Sequence, residues 1–169
     1  MANNFEMGFK ASAITYSAGE AHYDELPTNG RGVAAFNADT DQSIIITGHI
    51  PVGFTGSGTL KLDLYAAANT TTAADDARID VATEVRTPDA GTPESINADN
   101  FDGTPDSGTF TFSTTAYSGH KITIILTPAV TPVAGDLFRI KITRDANHAT
   151  LDSLASDLFI PEVVFYEAA

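Results

Sequence analysis

Apolar and polar residues alternate with a period of two along the centre of this chain. In TLKLDLY, residues 59–65, the three leucines fall on one face, and Lys61, Asp63 and Tyr65 fall on the other. ARIDVATEVR, residues 77–86, repeats the alternation. A period of two is typical of a strand with one buried face, so both segments are predicted to be strands.

The segment before them, SIIITGHI, is apolar on both faces. We therefore expect it to lie deeper in a sheet, or beneath a partner, than the other two. Together the three segments predict strands at about residues 42–50, 59–67 and 77–87, separated by linkers rich in Gly, Thr, Asn and Asp.

The C-terminal part of the chain shows the same alternation. GTFTFSTTAY and HKITIILTP are joined through Ser118-Gly119 and predict a hairpin. GDLFRIKITRDA alternates apolar with basic residues, and FIPEVVFYEA is apolar on both faces, so each predicts a further strand. The leucines between them, Leu151, Leu154 and Leu158, suit either one or two helical turns or a packed loop.

The sum of these elements predicts the all-β class. Residues 1–41 are irregular and predict an N-terminal arm of short extended segments, which either completes the edges of a sheet or reaches a neighbouring chain. Residues 42–169 predict an antiparallel, jelly-roll-like β-sandwich of about eight strands. Residues 42–88 would supply one half of it and residues 107–168 the other, with a long surface loop at 87–108 between them.

Composition and charge narrow the class of protein. The chain has 169 residues and no cysteine, so a disulfide framework and a thiolate metal site are excluded. Its 22 acidic and 9 basic residues give a formal charge of -13, which repels phosphate, and we expect no nucleic-acid partner. No basic start precedes an apolar run, and no run reaches about 18 apolar residues, so we expect neither a signal peptide nor a membrane span.

Patterns typical of enzymes do not occur in the sequence. The four histidines are isolated, and GxSxG, P-loop and GxGxxG motifs are missing. NADNFDGTPD, residues 97–106, offers oxygen ligands of the kind that calcium prefers but fails the EF-hand spacing, so an acidic turn is the favoured interpretation. Asp75-Asp76, and Asp136 with Asp145, are the candidate carboxylate pairs for glycoside hydrolysis. We predict no catalytic residue, no cofactor and no metal.

The order of the motifs resembles a group of small tailed-bacteriophage virion proteins. The resemblance covers residues 40–168 and rests on DQSIIITGHIP, on GTLKLDLYAAANTTTAADDARIDVATEV, and on GDLFRIKITRD before the last strand. It implies a non-enzymatic jelly-roll protein that is made in the host cytoplasm and coats the outer capsid surface as a decoration, or cement, protein. The implied partners are the major capsid protein and further copies of the chain in a homotrimer.

Ten residues are candidates for contacts with other chains. The apolar anchors of the arm would be Phe5, Phe9, Ile14, Tyr16 and Tyr23. The outward strand faces would contribute Tyr65, Tyr117 and a basic set of Arg139, Lys141 and Arg144.

Two other functions remain open on the sequence. A receptor- or glycan-binding module of a tail fibre would use exposed aromatic, Asp and Asn side chains, with its site in the loop at 87–108. A hydrolase would need a polar cleft with perturbed carboxylates, and it has the least support.

Overall fold

The computed structural model describes residues 3–11, 14–16, 20–27, 29–69, 75–88 and 99–169. They contain ten strands: β1 (Asn3–Lys10), β2 (His22–Glu25), β3 (Gly32–Phe36), β4 (Gln42–His49), β5 (Thr59–Ala68), β6 (Asp76–Arg86), β7 (Asp106–Thr111), β8 (His120–Ile125), β9 (Leu137–Arg144) and β10 (Leu158–Ala168). Within these ranges, no helix is long and apolar enough to cross a membrane.

The strands form two antiparallel sheets. The six-stranded sheet has the order β2-β3-β10-β5-β8, and β1 pairs with the remaining part of β10. The four-stranded sheet has the order β4-β9-β6-β7. The predicted all-β antiparallel sandwich is confirmed.

The core lies between the two sheets because each strand turns its apolar positions inward. On β5 the inward residues Leu62 and Leu64 are fully buried, as are Ile140 and Ile142 on β9 of the opposite sheet. The rings of Phe138 and Phe165 stack at 4.8 Å between centroids and join the two sheets. Burial of such side chains is the main stabilising contribution to the fold.

The predicted hairpin of β7 and β8 is wrong. β7 pairs with β6 in the four-stranded sheet, whereas β8 pairs with β5 in the six-stranded sheet. The residues between them cross from one sheet to the other, so the apolar faces of β7 and β8 meet across the core instead of lying side by side. A Cβ at Gly108 on β7 would come within 3.1 Å of Ile122 and Ile124 on β8. The two sequence halves do not correspond to the two sheets either, because each half contributes strands to both.

β4 lies at the edge of its sheet, paired only with β9, so the expectation of a deeper position is wrong. Its other edge is met by Thr15 and Glu20 of the N-terminal segment. Thr15 forms an isolated bridge with Ile45, and Glu20 Oε2 accepts a hydrogen bond from Ser43 N at 2.5 Å. These contacts involve main-chain groups along the edge, so the alternative of a strand beneath a partner stays a prediction.

The N-terminal strands join the six-stranded sheet of their own chain. β1 pairs with β10 from Asn3 to Lys10, and β2 and β3 extend the same sheet. Of the two alternatives for the arm, these strands follow the first and complete the sheet. The domain boundary at residue 42 stays a prediction.

The leucines at 151, 154 and 158 lie in a packed loop and at the start of β10, not in a helix. Leu154 and Leu158 are buried, and Leu151 is exposed.

Candidate functional site

The outer side of the six-stranded sheet carries an ordered array of side chains that point away from the core. The strand register aligns them in three rows across β1, β10, β5 and β8: Lys10, Glu162, Tyr65, Lys121; then Gly8, Val164, Asp63, Thr123; then Glu6, Tyr166, Lys61, Ile125. We call these twelve residues the open face. Neighbouring strands lie about 4.8 Å apart and alternate residues about 6.7 Å apart, so the array measures roughly 14 by 13 Å.

Asp63 is the centre of a hydrogen-bond network on the open face. Its side chain accepts bonds from Lys121 Nζ at 2.8 Å, Thr123 Oγ1 at 2.5 Å and the Tyr166 hydroxyl at 3.3 Å. These neighbours cover it, and it is only 7% exposed. Burial alone would raise the pKa of Asp63, but the hydrogen bonds and the charge of Lys121 outweigh burial and lower it. The carboxylate is therefore ionised and fixes the positions of its three donors.

Aromatic and apolar surface surrounds this network. Tyr65 is 38% exposed and Ile125 is 55% exposed. The ammonium group of Lys121 lies 6.0 Å from the centroid of the Tyr65 ring, at the limit of a cation–π contact. Exposed ring surface beside fixed polar groups is suited to a ligand that presents both apolar faces and hydroxyl groups.

The outer side of the four-stranded sheet has a different character. At its centre Glu84 is 2% exposed and accepts hydrogen bonds from Arg86 Nε at 2.5 Å and Arg139 at 2.6 Å. Asp99 bonds the same Arg139 nitrogen at 2.8 Å, and the Phe101 ring lies 5.0 Å from the guanidinium. Burial alone would lower the pKa of Arg139, but its bonds to Asp99 and Glu84 raise it. We call this surface the roofed face, because residues 99–101 cover its central ion pairs.

The predicted arm anchors lie mostly against the core of their own chain. Phe5 and Phe9 pack on it from β1, and Ile14 is buried in it. The Tyr16 hydroxyl donates to Ala11 O at 2.8 Å, and burial, together with the neighbouring Tyr23, raises the pKa of Tyr16 to about 12. Tyr23, at 44% exposure, is the open member of this set. A contact of these side chains with another chain stays a prediction.

The remaining predicted residues lie in separate places. Tyr65 is on the open face, whereas Arg139 and Lys141 are on the roofed face. Tyr117 stacks on Phe159 at 6.0 Å, in a small apolar cluster beside the open face. Its φ of 58° is in the left-handed region, and its N–H donates to Ala68 O at 2.8 Å. The structure therefore does not bring these four residues together.

Arg144 does not lie on an outer face, and this expectation is wrong. Arg144 lies on the same side of β9 as the buried Ile140 and Ile142, and it is itself fully buried. Nε and one terminal nitrogen donate to Asp152 at 3.1 and 2.9 Å, and further bonds go to three carbonyl oxygens, those of Asn37, Leu154 and Ser156. A buried guanidinium requires such full pairing. Arg144 thus anchors the loop before β10.

The described carboxylates of the calcium candidate, residues 97–106, each bond to a different partner. Asp99 pairs with Arg139, Asp102 accepts bonds from Thr83 and Ala129, and Asp106 accepts bonds from Thr127. Asn97 lies outside the described residues. Among those that are described, no group of three or more His, Asp or Glu side chains is arranged to hold a metal ion.

The candidate carboxylate pairs do not form a hydrolytic site. Asp136 precedes β9 and Asp145 follows it, which places them roughly 30 Å apart along an extended strand. Glycosidase carboxyl groups lie about 5 to 9.5 Å apart. Asp75 and Asp76 are consecutive residues at the start of β6, so strand alternation directs their side chains to opposite sides.

Most members of the open face could not be selected from the sequence. Alternation alone places Lys61, Asp63 and Tyr65 on one outward side. Their neighbours across the sheet, Glu162 and Lys121, come from strands about 60 to 100 residues away. The pairing register that joins them has no local sequence signal.

Comparison with known proteins yields matches only at the level of structure. No family model matches the chain, and no curated protein matches it significantly. Among solved structures it is similar to the CBM36-1 domain of a multidomain xylanase from the hindgut metagenome of Trinervitermes trinervoides. The TM-score is 0.54 at 16% identity, over 98% of this chain and 99% of that one.

Two further solved domains are also similar over nearly their whole length. A carbohydrate-binding module CBM36 in complex with calcium and xylotriose matches with a TM-score of 0.51 at 16% identity, over 94% of this chain and 98% of that one. The C-terminal CBM6 of LamC, a marine laminarinase from Zobellia galactanivorans, matches with a TM-score of 0.50 at 11% identity, over 96% and 100%. At these identities the similarity establishes a shared jelly-roll β-sandwich fold.

These matches correct the expected role in a virion. The jelly-roll part of that expectation is confirmed, but the capsid decoration role and the major capsid protein as partner are wrong. The three similar solved domains are carbohydrate-binding modules rather than capsid or phage proteins. The homotrimer was implied only by the phage resemblance, so it has no remaining support.

Proposed function

We propose that this protein is a carbohydrate-binding β-sandwich module and that the open face is its ligand surface. Its fold matches three carbohydrate-binding modules over at least 94% of their length and its own. The proposal takes up the glycan-binding alternative of the sequence analysis but moves the site. That alternative used the loop at 87–108, whereas the open face lies on the six-stranded sheet.

The observation that carries the proposal is the exposed Tyr65 ring beside the ordered network around Asp63. Sugar rings present C–H groups on their faces and hydroxyls at their edges. An exposed aromatic ring can pack against such a face, and fixed polar groups can set the orientation of the hydroxyls. Because Lys121 and Thr123 are already held by Asp63, little side-chain entropy is lost when a ligand binds.

The chemistry of the open face is that of binding rather than catalysis. Glycoside hydrolysis uses a carboxylic acid with a raised pKa and a second carboxylate at a defined distance. Asp63 has a lowered pKa and accepts three hydrogen bonds, and Glu162 is paired with Lys10 at 2.5 Å. Both carboxylates therefore act as anchors for neighbouring side chains.

Affinity gel electrophoresis and titration calorimetry against soluble polysaccharides test the proposal. The first panel is soluble xylan and laminarin, chosen because similar domains belong to a xylanase and a laminarinase, extended to mannan, galactan and pectic chains. We expect at least one polysaccharide to retard the protein and Tyr65→Ala to abolish most of the retardation. Polysaccharide should retard the control Lys141→Ala, on the roofed face, as much as it retards the wild type.

Two results would contradict the proposal. One is the absence of binding across the panel by correctly folded protein. The other is binding that Tyr65→Ala leaves unchanged, which would exclude the open face as the ligand surface.

A further inference from the structure

A pocket opens beside the open face where β10 changes partners. β10 pairs with β3 through residues 158–160 and with β1 through residues 162–168. Pro161 lies between them and has no N–H to donate, and the register of β10 against β5 shifts there. The bulge leaves a pocket of about 190 Å³ lined by Lys10, Ala11, Tyr23, Arg31, Gly32 and Pro161. Bulges of this kind often re-aim side chains next to functional sites.

The Tyr23 ring forms a defined wall of this pocket. It lies directly over Gly32, because a Cβ at that position would come within 2.7 Å of ring atom Cε2. Any larger residue at 32 would displace the ring. Tyr23 is thus held against the backbone of the neighbouring strand, while 44% of its surface remains exposed.

The charges around the pocket are unusual for this chain. Two cations, Lys10 and Arg31, lie beside the Glu162 carboxylate, and a second carboxylate, that of Glu25, lies 3.5 Å from the Tyr23 hydroxyl. The two positive and two negative charges balance, whereas the whole chain carries a formal charge of -13. An anionic group approaching the protein would therefore meet repulsion over most of the surface and less of it here.

Arg31 is available to bind a ligand. A tight turn fixes its backbone, since Leu26 N donates to Arg31 O at 3.0 Å and Arg31 N donates to Asn29 Oδ1 at 3.0 Å. Its guanidinium is 3.9 Å from Glu162, which is beyond hydrogen-bond distance. Among the described residues this is the one ion pair of Arg31, and its side chain is 54% exposed. The planar fork that matches a carboxylate is therefore not occupied.

We propose that this pocket binds the carboxylate of a uronic acid, so that the ligand is an acidic polysaccharide. The inference rests on the proposed carbohydrate-binding function and assigns its ligand class. Arg31 pairs with the carboxylate, Lys10 adds a second positive charge, and the sugar ring packs against Tyr23. A volume of about 190 Å³ is below the roughly 300 Å³ of the smallest drug-sized sites, so it suits one sugar unit rather than a chain.

The pocket is positioned to act together with the open face. Lys10, Glu162 and Tyr65 occupy one row on adjacent strands, which places Lys10 about 10 Å from Tyr65. A polysaccharide that packs on Tyr65 would therefore present an acidic neighbour or branch to the pocket. The open face supplies general affinity, and the pocket selects for the acid.

Matched pairs of polysaccharides test the inference with the full chain. Glucuronoxylan, polygalacturonate and alginate are each compared with their carboxyl-reduced forms, which keep the chain but replace the acid by a neutral sugar. We expect the acidic form of at least one pair to bind about tenfold or more tightly, in line with a charge-assisted pair. The preference should shrink as salt is raised, because the charges are partly exposed.

Three variants locate the effect. Arg31→Gln should remove most of the preference for the acidic form, and affinity for the reduced form should fall much less than affinity for the acidic form. Glu162→Gln should raise affinity for the acidic form several-fold, because it removes the competing carboxylate. Lys141→Gln makes the same change in net charge as Arg31→Gln but on the roofed face, and it should leave the preference intact.

The outcomes separate the inference from the proposed function. Equal binding of acidic and reduced forms would overturn the acidic ligand class and leave carbohydrate binding standing. A preference that survives in Arg31→Gln would overturn the assignment to this pocket. Absence of binding to every acidic and reduced form would overturn the proposed function and the inference with it.

Discussion

The two outer faces of the sandwich are built on the same principle and differ in what covers them. Each has a buried carboxylate at its centre, Asp63 on the open face and Glu84 on the roofed face. Asp63 accepts a hydrogen bond from one cation, Lys121, and Glu84 accepts bonds from two arginines. Over Glu84, the segment with Asp99 and Phe101 contacts Arg139. On the open face, Lys121, Thr123, Tyr65 and Ile125 remain exposed.

The difference separates a structural network from a recognition surface. Polar groups that neighbouring residues already satisfy contribute to stability and have little left to offer a ligand. Groups that are held in place on one side and exposed on the other are preorganised for binding. The same chemistry therefore stabilises the fold on one face and is available for a ligand on the other.

The largest effect is expected for Glu84→Gln on the roofed face. Its loss leaves Arg86 and Arg139 without their shared carboxylate in a buried setting, and breaking such a pair costs about 3 to 5 kcal/mol in the free energy of unfolding. Urea denaturation measures the change. Binding of polysaccharide by the folded fraction should match the wild type, and a loss of affinity would show that the two faces are not independent.

Tyr65→Ala should have the opposite effect: affinity for the polysaccharide should fall, and stability should change little. An aromatic side chain at the centre of a binding surface contributes about 2 kcal/mol, which corresponds to roughly a thirty-fold loss of affinity. Because the ring is half-exposed, the free energy of unfolding should change by less than about 1 kcal/mol. Calorimetric titration and urea denaturation of the same preparation give both values. A variant that unfolds easily but binds normally would contradict the assignment.

Asp63→Asn should reduce stability in a pH-dependent way. The folded-state pKa of Asp63 is lowered, so its stabilising contribution is fully present above the unfolded value, about 3.9, and is lost as the pH falls through the folded value. We expect a loss of about 1 kcal/mol in the free energy of unfolding at pH 7. The difference from the wild type should vanish in strong acid. Urea midpoints at pH 7, 4 and 2.5 test this, and a difference that is constant with pH would be inconsistent with it.

The smallest expected effect is on polysaccharide binding, when a lysine is removed from one face or the other. Lys121 lies on the open face and Lys141 on the roofed face. Since surface ion pairs contribute about 0 to 1 kcal/mol, Lys121→Ala and Lys141→Ala should both be nearly neutral for stability. Lys121→Ala alone should weaken polysaccharide binding, by about three-fold. Equal binding by the two variants would mean that Lys121 takes no part in recognition.

Strand positions were predictable because alternation is a local property. The segments TLKLDLY and ARIDVATEVR lie within β5 and β6, and the inward leucines of β5 are buried as expected. The sheet to which a strand belongs was not predictable in the same way. β7 and β8 follow one another in sequence but lie in opposite sheets, because either a turn or a crossover can join two short apolar strands.

Arg144 and the open face show where charge and distance limit sequence reasoning. The parity of position 144 places it inside, whereas its charge suggested the outside, and the outcome depends on the buried partner Asp152. Tyr65 was predicted to face outward, and it does. Its neighbours Glu162 and Lys121 come from distant strands through pairing register alone. The one local signal for the pocket is Pro161 inside an apolar strand, which is typical of a bulge or an edge.

The central claim, that the open face binds carbohydrate, is tested most directly by mapping amide chemical-shift changes during titration with a bound oligosaccharide from the screening panel. The account predicts saturable shifts concentrated on β5, β8 and β10 around Asp63, Tyr65 and Lys121, extending to Arg31 and Gly32 when the ligand is acidic. Shifts concentrated on β6 and β9 around Glu84 and Lys141, with the open face unchanged, would contradict it.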